Sequence, residues 1–102
     1  MITLAPEVVS DDIINLLKDN QILISVGHSN MNSKTAFDYF EKGINTVTHL
    51  FNAMPPLHHR DPGLVHAVLE NTNVYSSIIC DGHHVDFDMI RLAHTLKKDK
   101  LF

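Results

Sequence analysis

The sequence predicts an α/β fold of four consecutive βα units, which form either an open parallel sheet or part of a (β/α)8 barrel of the TIM type. Three observations predict it: four apolar segments alternate with four amphipathic ones, no long linker interrupts them, and polar residues collect after the apolar segments. Strands that alternate with helices form parallel sheets with right-handed crossovers. Ligands bind at the carboxyl ends of such strands, where the polar residues of this chain fall.

The first unit begins with "ITLAP" (2–6), a short strand that ends at Pro6 because proline cannot continue a β-ladder. A helix is expected over 8–20 from its apolar periodicity. The residues predicted on the apolar face of this helix are Val9, Ile13, Leu16 and Leu17.

The second unit contains the longest apolar run. Residues 21–29, "QILISVGHS", are almost continuously apolar, which is typical of a strand buried on both faces of a parallel sheet. A helix is expected over 33–43, where Gly43 occupies the position at which glycine commonly ends a helix.

The third and fourth units repeat the pattern. Strands are expected over 44–53 and 74–84, followed by helices over 61–71 and 86–100. Asp61 is a candidate N-cap with Pro62 at the first helical position. The charged residues that match the dipole of the last helix are Asp86, Asp88, Lys97 and Lys98.

Length and composition exclude several classes of protein. The chain has 102 residues, 44% of them hydrophobic, and a net charge of −4 without a basic run, which argues against nucleic-acid binding. No apolar stretch is long enough for a membrane span, and no signal peptide is recognised. The single cysteine, Cys80, rules out an internal disulfide and fits a reducing cytoplasm. No GxGxxG, Walker A, GxSxG or CxxC motif occurs.

Two histidines follow neighbouring predicted strands. His28 follows "ILISVG" and His49 follows "INTVT". Because parallel strands end at one edge of a sheet, both imidazoles should project into the same mouth, at a spacing suited to one divalent ion such as Zn²⁺ or Fe²⁺. Each histidine alone is better explained as a hydrogen-bonded core residue, but the matching positions on consecutive strands favour two metal ligands. Catalytic zinc usually takes three protein ligands, so the pair is at most part of a site.

Two further segments carry polar side chains. "CDGHHVD" (80–86) offers Asp81, His83 and His84, any of which could act as a general acid or base or polarise a carbonyl. A polar loop that caps the next helix is the alternative. Arg60 precedes a predicted helix N-terminus and is placed to bind an anion such as phosphate, although a solvated loop arginine is an equally simple interpretation.

Four motifs, taken together, carry a family resemblance. They are "TLAPE" (3–7), "GHSN" (27–30), "THLFNAMPPLHHRDPG" (48–63) and "DGHHVD" (81–86). In this order and spacing they resemble the N-acetylglucosamine-6-phosphate deacetylases of the amidohydrolase superfamily, and the resemblance covers nearly the whole chain. It implies a metal-dependent (β/α)8 barrel that hydrolyses the acetamide of N-acetylglucosamine 6-phosphate to glucosamine 6-phosphate and acetate.

The resemblance also implies residue roles. His28 and His49 match the histidine ligands of a divalent metal ion, and Arg60 matches the phosphate-binding arginine. The remaining positions that match substrate-binding residues are Asn52, Ala53, Asp81, Gly82, His83 and His84. In the last segment His84 is the important position, whereas His83 departs from relatives that often carry an apolar residue there. The implied mechanism uses a metal-activated water and a carboxylate that passes its proton to the departing amine.

The same resemblance implies that part of the site lies outside this chain. The metal-binding glutamate of the family should precede residue 1 and its catalytic aspartate should follow Phe102, just after "DKLF" begins another strand. Glu7 belongs to a different motif and is expected to open a helix. Residues 1–102 are therefore expected to be a partial barrel domain, truncated at both ends, with no catalytic residue of its own.

Two consequences and two alternatives follow. The isolated chain should be inactive, and its open sheet edges and apolar barrel interior should make it self-associate. Members of the family are commonly dimers or larger. One alternative is a non-catalytic half-barrel module that binds a sugar phosphate or a metal. The other is an amidohydrolase that acts on a different N-acyl sugar, although the Arg60 loop argues against unphosphorylated substrates.

Overall fold

The computed structural model describes residues 1–102 and contains the four βα units in the predicted order. The strands are β1 (Ile2–Leu4), β2 (Ile24–Val26), β3 (Thr46–Val47) and β4 (Tyr75–Ser76). The helices are α1 (Asp11–Asp19), α2 (Ser33–Glu41), α3 (Gly63–Glu70) and α4 (Phe87–Lys97). Short 3-10 helices cover Pro6–Val8 and Lys98–Lys100. None of the helices combines the length and apolar character needed to cross a bilayer.

All four strands are parallel, and they lie side by side in the order in which the chain reaches them. The predicted α/β class is therefore confirmed. The ladders are shorter than expected, with two residues each in β3 and β4. Beyond β4, Leu101 forms a parallel bridge with Ser76, which agrees with the expectation that "DKLF" begins another strand.

The core lies between the sheet and the helices. All three residues of β2 are buried, as expected for a central strand of a parallel sheet. The same run begins later than predicted, since Ile22 and Leu23 are 39% and 50% exposed. α3 buries Gly63, Leu64, Val65, Ala67, Val68 and Leu69, which makes it the most completely buried helix.

The predicted apolar face of the first helix is partly wrong. The helix begins at Asp11 rather than at residue 8, so Val9 precedes it and does not define its buried side. Ile13 and Leu16 are 50% and 60% exposed, whereas Ile14 is buried. Leu17, which lies three positions after Ile14, packs against the core as predicted.

Helix ends agree with the sequence in two cases and differ in one. Gly43 has φ +89° just after α2, the left-handed conformation that glycine adopts without a steric penalty. The Asp86 carboxylate accepts a hydrogen bond from the Asp88 N–H at 2.7 Å and caps α4. The prediction that Asp61 caps α3 is wrong, because Pro62 occupies that position and the helix starts at Gly63.

Lys97 stabilises a neighbouring helix. It was expected to act on the dipole of its own helix, but its side chain is 2% exposed. Its ammonium group donates a hydrogen bond to the Val68 carbonyl at 2.7 Å and another to the Asn71 carbonyl, both at the C-terminal end of α3. These carbonyls have no partner within their own helix, so Lys97 joins α4 to α3.

The pH dependence of stability tests the burial of the Lys97 ammonium group. Burial, with a smaller contribution from Lys100, lowers the pKa of Lys97 from 10.5 to about 8. Between these two values the unfolded chain binds more protons than the folded chain, so the contribution of Lys97 to stability rises with pH. We expect the free energy of unfolding of the wild-type chain, relative to Lys97→Met, to increase from pH 8 to 10.5 in urea titrations. If the difference in the free energy of unfolding between the two chains does not depend on pH, the Lys97 ammonium group is not buried as described.

Candidate functional site

His28 and His49 meet at the carboxyl edge of the sheet. His28 follows β2 and His49 follows β3, and their Nε2 atoms are 3.2 Å apart. The ring centroids are 4.9 Å apart, with the ring planes at 75°. Two nitrogen ligands at about 2.0–2.1 Å from one tetrahedral ion are separated by about 3.3 Å. The geometry of the pair therefore fits two ligands of a single divalent metal ion.

Both histidines have left-handed backbone conformations, with φ 52° for His28 and 43° for His49. Such angles are uncommon outside glycine and mark positions where the surroundings hold the chain in place. At His49 the surroundings include Ser77, whose Oγ accepts a hydrogen bond from the His49 N–H at 2.8 Å. The Ser77 carbonyl accepts a second bond from the Leu50 N–H at 2.8 Å.

The histidine pair is incomplete as a metal centre within this chain. No group of three or more His, Cys, Asp or Glu residues converges anywhere in the structure. The Nδ1 atom of His49 is buried and has no hydrogen-bond partner. A histidine that binds a metal through Nε2 normally donates Nδ1–H to a carbonyl or carboxylate, and no atom of this chain has that role.

A chain of hydroxyl groups lies next to the histidines and was not found from the sequence. The Thr48 hydroxyl contacts those of Ser25 at 2.7 Å and Thr3 at 2.9 Å. Gly27 allows this close packing, because a Cβ at that position would lie 2.5 Å from the methyl carbon of Thr3. The register pairs Thr3 with Ser25, but Thr48 follows β3 and no local pattern in the sequence shows that it contacts them.

The long connection from β3 to α3 carries three of the expected substrate-binding residues. Asn52 is half-buried in a turn, in which its N–H donates to the His49 carbonyl at 2.8 Å. Ala53 is exposed and has φ 51°. Arg60 is exposed three residues before α3, and its backbone N–H donates to His58 Nδ1 at 3.1 Å. No protein group pairs with the Arg60 guanidinium, which leaves its donors free for an anion.

Asp81 organises the loop after β4. Its Oδ1 accepts hydrogen bonds from the N–H groups of His83 and His84, both at 2.8 Å, and its Oδ2 lies 2.6 Å from His84 Nδ1. The hydrogen bond with the His84 side chain is the largest cause that lowers the pKa of Asp81 to about 2. Gly82 has φ 73°, and a Cβ there would lie 2.6 Å from the Phe87 ring. Asp81 is thus ionised at neutral pH and orients the ring of His84.

The predicted site residues therefore fall into three groups. The structure brings His28 into contact with His49, and Asp81 into contact with His84. Arg60 stands alone on its loop, and no hydrogen bond joins the three groups. The His83 ring is exposed and has no hydrogen-bond partner.

The Asp81–His84 contact can be tested by titration. Replacing His84 with Ala removes the largest cause of the lowered pKa, so we expect the Asp81 pKa to rise from about 2 towards 3.8. The His83→Ala variant keeps its backbone N–H donor and should leave the Asp81 pKa near its wild-type value. The carboxyl ¹³C chemical shift of Asp81 measured against pH gives both values. Equal pKa values in wild type and His84→Ala would contradict the contact.

Comparison with known proteins identifies sequences that are similar to this chain. No protein-family model matches it. It is 44% identical over 85 residues to an N-acetylgalactosamine-6-phosphate deacetylase from Shewanella, covering 83% of this chain and 22% of that protein. It is 41% identical over 100 residues to the N-acetylglucosamine-6-phosphate deacetylase of Danio rerio, covering 92% of this chain and 25% of the relative.

Solved structures similar to this chain are enzymes of the same kind as the sequence relatives. N-acetylglucosamine-6-phosphate deacetylase from Pasteurella multocida matches 98% of this chain and 26% of its own, with 44% identity and a TM-score of 0.87. A variant of the Mycobacterium smegmatis enzyme in complex with N-acetyl-D-glucosamine-6-phosphate matches 99% of this chain and 27% of its own, with 31% identity and a TM-score of 0.88. The four βα units therefore correspond to part of the TIM barrel of these enzymes. The chain spans about a quarter of their length, and over nearly all of its own length it is a homologue of the N-acetylglucosamine-6-phosphate deacetylases.

Proposed function

We propose that this chain is part of a (β/α)8 hydrolase that removes the acetyl group from N-acetylglucosamine 6-phosphate, giving glucosamine 6-phosphate and acetate. The observation that carries the proposal is the His28–His49 pair, whose Nε2 atoms are 3.2 Å apart at the mouth of the sheet. The relatives named as deacetylases of sugar phosphates support it. The protein would work in the cytoplasm and would bind neither nucleic acid nor membrane.

The two histidines would hold a divalent metal ion, Zn²⁺ or Fe²⁺, through Nε2. When bound, such an ion lowers the pKa of a water molecule and polarises an amide carbonyl. This chain supplies orientation: the left-handed turns at both histidines and the Ser77 hydroxyl keep the imidazoles aimed at one point. The remaining metal ligand and the carboxylate that moves the proton would come from outside residues 1–102.

The substrate would be held at its phosphate and sugar ends. Arg60 has a free guanidinium for the phosphate, and the His84 ring is held in orientation by Asp81. Asn52 and Ala53 would contact the sugar phosphate from the turn after His49, and the segment from Asp81 to His84 would contact the sugar. Binding the phosphate at a distance positions the acetamide at the metal.

The exposed apolar side chains support a larger assembly. Among the helices, α1 and α4 carry exposed large apolar side chains, whereas α2 and α3 have none. The residues concerned are Ile13 and Leu16 on α1 and Phe87, Leu92 and Leu96 on α4. We propose that further βα units cover these faces in the complete barrel domain, and that the isolated chain self-associates through them.

A second candidate is deacetylation of N-acetylgalactosamine 6-phosphate, the substrate named for the Shewanella relative. The two sugars differ only in the configuration of one ring hydroxyl. The residues proposed to bind the metal and the phosphate would therefore serve either substrate. A non-catalytic module that binds a sugar phosphate or a metal is the third possibility. It would be recognised by metal and ligand binding without turnover.

A chimaera tests the proposed activity. The quarter of the Pasteurella multocida enzyme that matches this chain is replaced by residues 1–102, and deacetylation of both N-acetylhexosamine 6-phosphates is measured with added Zn²⁺ or Fe²⁺. We expect turnover in the chimaera and none in the isolated chain. His28→Ala and His49→Ala should each lower kcat at least 100-fold, while the exposed-site variant Lys34→Ala should not. Wild-type turnover in His28→Ala or in His49→Ala would contradict the proposal.

Arg60 can be tested in the same chimaera. Losing a hydrogen bond to a charged group costs about 1.5–3 kcal/mol, so Arg60→Ala should lower kcat/KM for the phosphorylated sugar about 10- to 100-fold. The loss should appear mainly in KM, and Arg60→Lys should recover part of it. Hydrolysis of unphosphorylated N-acetylglucosamine serves as the control and should be unchanged. Equal losses with both sugars would show that Arg60 does not bind the phosphate.

A further inference from the structure

The carboxylate of Glu7 contacts the loop that carries His28. Glu7 lies in the short turn after β1, and its Oε1 accepts hydrogen bonds from Ser29 Oγ at 2.7 Å and from the Asn30 N–H at 3.1 Å. Ser29 is fully buried, and its Oγ also accepts from the Met31 N–H at 3.2 Å. A single carboxylate oxygen thus joins the first βα unit to the two residues that follow His28.

The turn that presents Glu7 is fixed in position. Pro6 is buried, and its carbonyl accepts a hydrogen bond from the Tyr39 hydroxyl of α2 at 3.0 Å. The proline ring also restricts the backbone angle next to Glu7. Glu7 therefore approaches the loop from a rigid support.

The loop needs support because of the conformation of His28. A non-glycine residue with φ 52° adopts a sparsely populated conformation, which costs on the order of 1 kcal/mol or more. Relaxation of that turn would move Nε2 of His28 away from Nε2 of His49. Hydrogen bonds to an ionised acceptor are roughly twice as strong as neutral ones, so the Glu7 carboxylate is suited to hold the turn.

Stability alone does not explain the carboxylate. The second oxygen of Glu7, Oε2, is buried and has no hydrogen-bond partner. A buried acceptor without a partner destabilises the folded state. Glu7 thus makes favourable hydrogen bonds through Oε1 while Oε2 is buried at a cost in stability. A role in orienting the loop that carries His28 would explain why a carboxylate is present despite this cost.

We propose that Glu7 is a positioning residue for His28, acting through its hydrogen bonds to Ser29 and Asn30. The inference rests on the proposed function, because it assumes that His28 binds a metal ion. Glu7 itself binds neither metal nor substrate. Its effect is to keep Nε2 of His28 at the distance from His49 that a shared ion requires.

The test is a Zn²⁺ titration of the chimaera described above, in which the rest of the barrel supplies the ligands that residues 1–102 lack. Binding is followed through the ring ¹⁵N signals of His28 and His49, together with hydrogen exchange of the Asn30 amide in the metal-free chimaera, and the chimaera with unsubstituted residues 1–102 serves as wild type. For Glu7→Ala we expect Zn²⁺ affinity to fall about 10- to 100-fold and Asn30 exchange to accelerate. Glu7→Gln keeps an acceptor at Oε1 without the charge, so it should lie between wild type and Glu7→Ala. The matched control Asp12→Asn removes an exposed carboxylate from α1 and should behave as wild type.

The outcomes separate the two proposals. Unchanged Zn²⁺ affinity in Glu7→Ala overturns the positioning role, even if exchange accelerates, because a purely structural contact would produce that pattern. If Glu7→Ala does not fold, the Zn²⁺ affinity of Glu7→Gln decides, and an unchanged affinity again overturns the positioning role. If neither ring of wild type responds to Zn²⁺, or if His28→Ala binds Zn²⁺ as tightly as wild type, the metal assignment itself fails and the positioning role fails with it. Binding that depends on His28 but not on Glu7 removes only the positioning role.

Discussion

The pairing of β2 with β3 places the candidate site. The parallel ladder sets Val26 beside Val47, and each histidine follows its valine by two residues. Both histidines also adopt left-handed backbone angles, so their side chains leave the edge of the sheet at the same height and in a similar way. A shift of one residue in this register would turn one imidazole away from the other. The 3.2 Å separation of the two Nε2 atoms thus depends on the backbone hydrogen bonds between β2 and β3, in which no side chain of the site takes part.

Hydroxyl and carboxylate groups next to the histidines complete the arrangement. On one side Ser77 accepts from the backbone N–H of His49, and on the other Glu7 accepts from the residues after His28. Both histidines adopt left-handed angles, so neither turn would be stable as an isolated peptide. The surrounding units supply the stabilisation, and the imidazoles are held before any ligand binds. Such preorganisation limits the reorganisation that binding would require.

The groups proposed to bind the substrate are held differently. Arg60 lies on a long exposed loop and has no protein partner, whereas His84 is oriented by the ionised Asp81. The histidines proposed to bind the metal therefore lie at the edge of the sheet, and the groups proposed to bind the substrate lie on the loops around it. Barrel enzymes commonly divide the work in this way, because loops can vary while the strand ends keep their geometry.

The sequence by itself determined the α/β class, the order of the four units, and the histidine pair, because these depend on local periodicity and on the edge where parallel strands end. Tertiary structure alone decided which face of α1 is buried, since Val9 falls outside the helix and Ile14 replaces Ile13 in the core. It also decided the partners of Lys97, Thr48, Ser77 and Glu7, each of which contacts residues more than 20 positions away. Contacts at such separations depend on strand register and helix packing, which no local pattern in the sequence records.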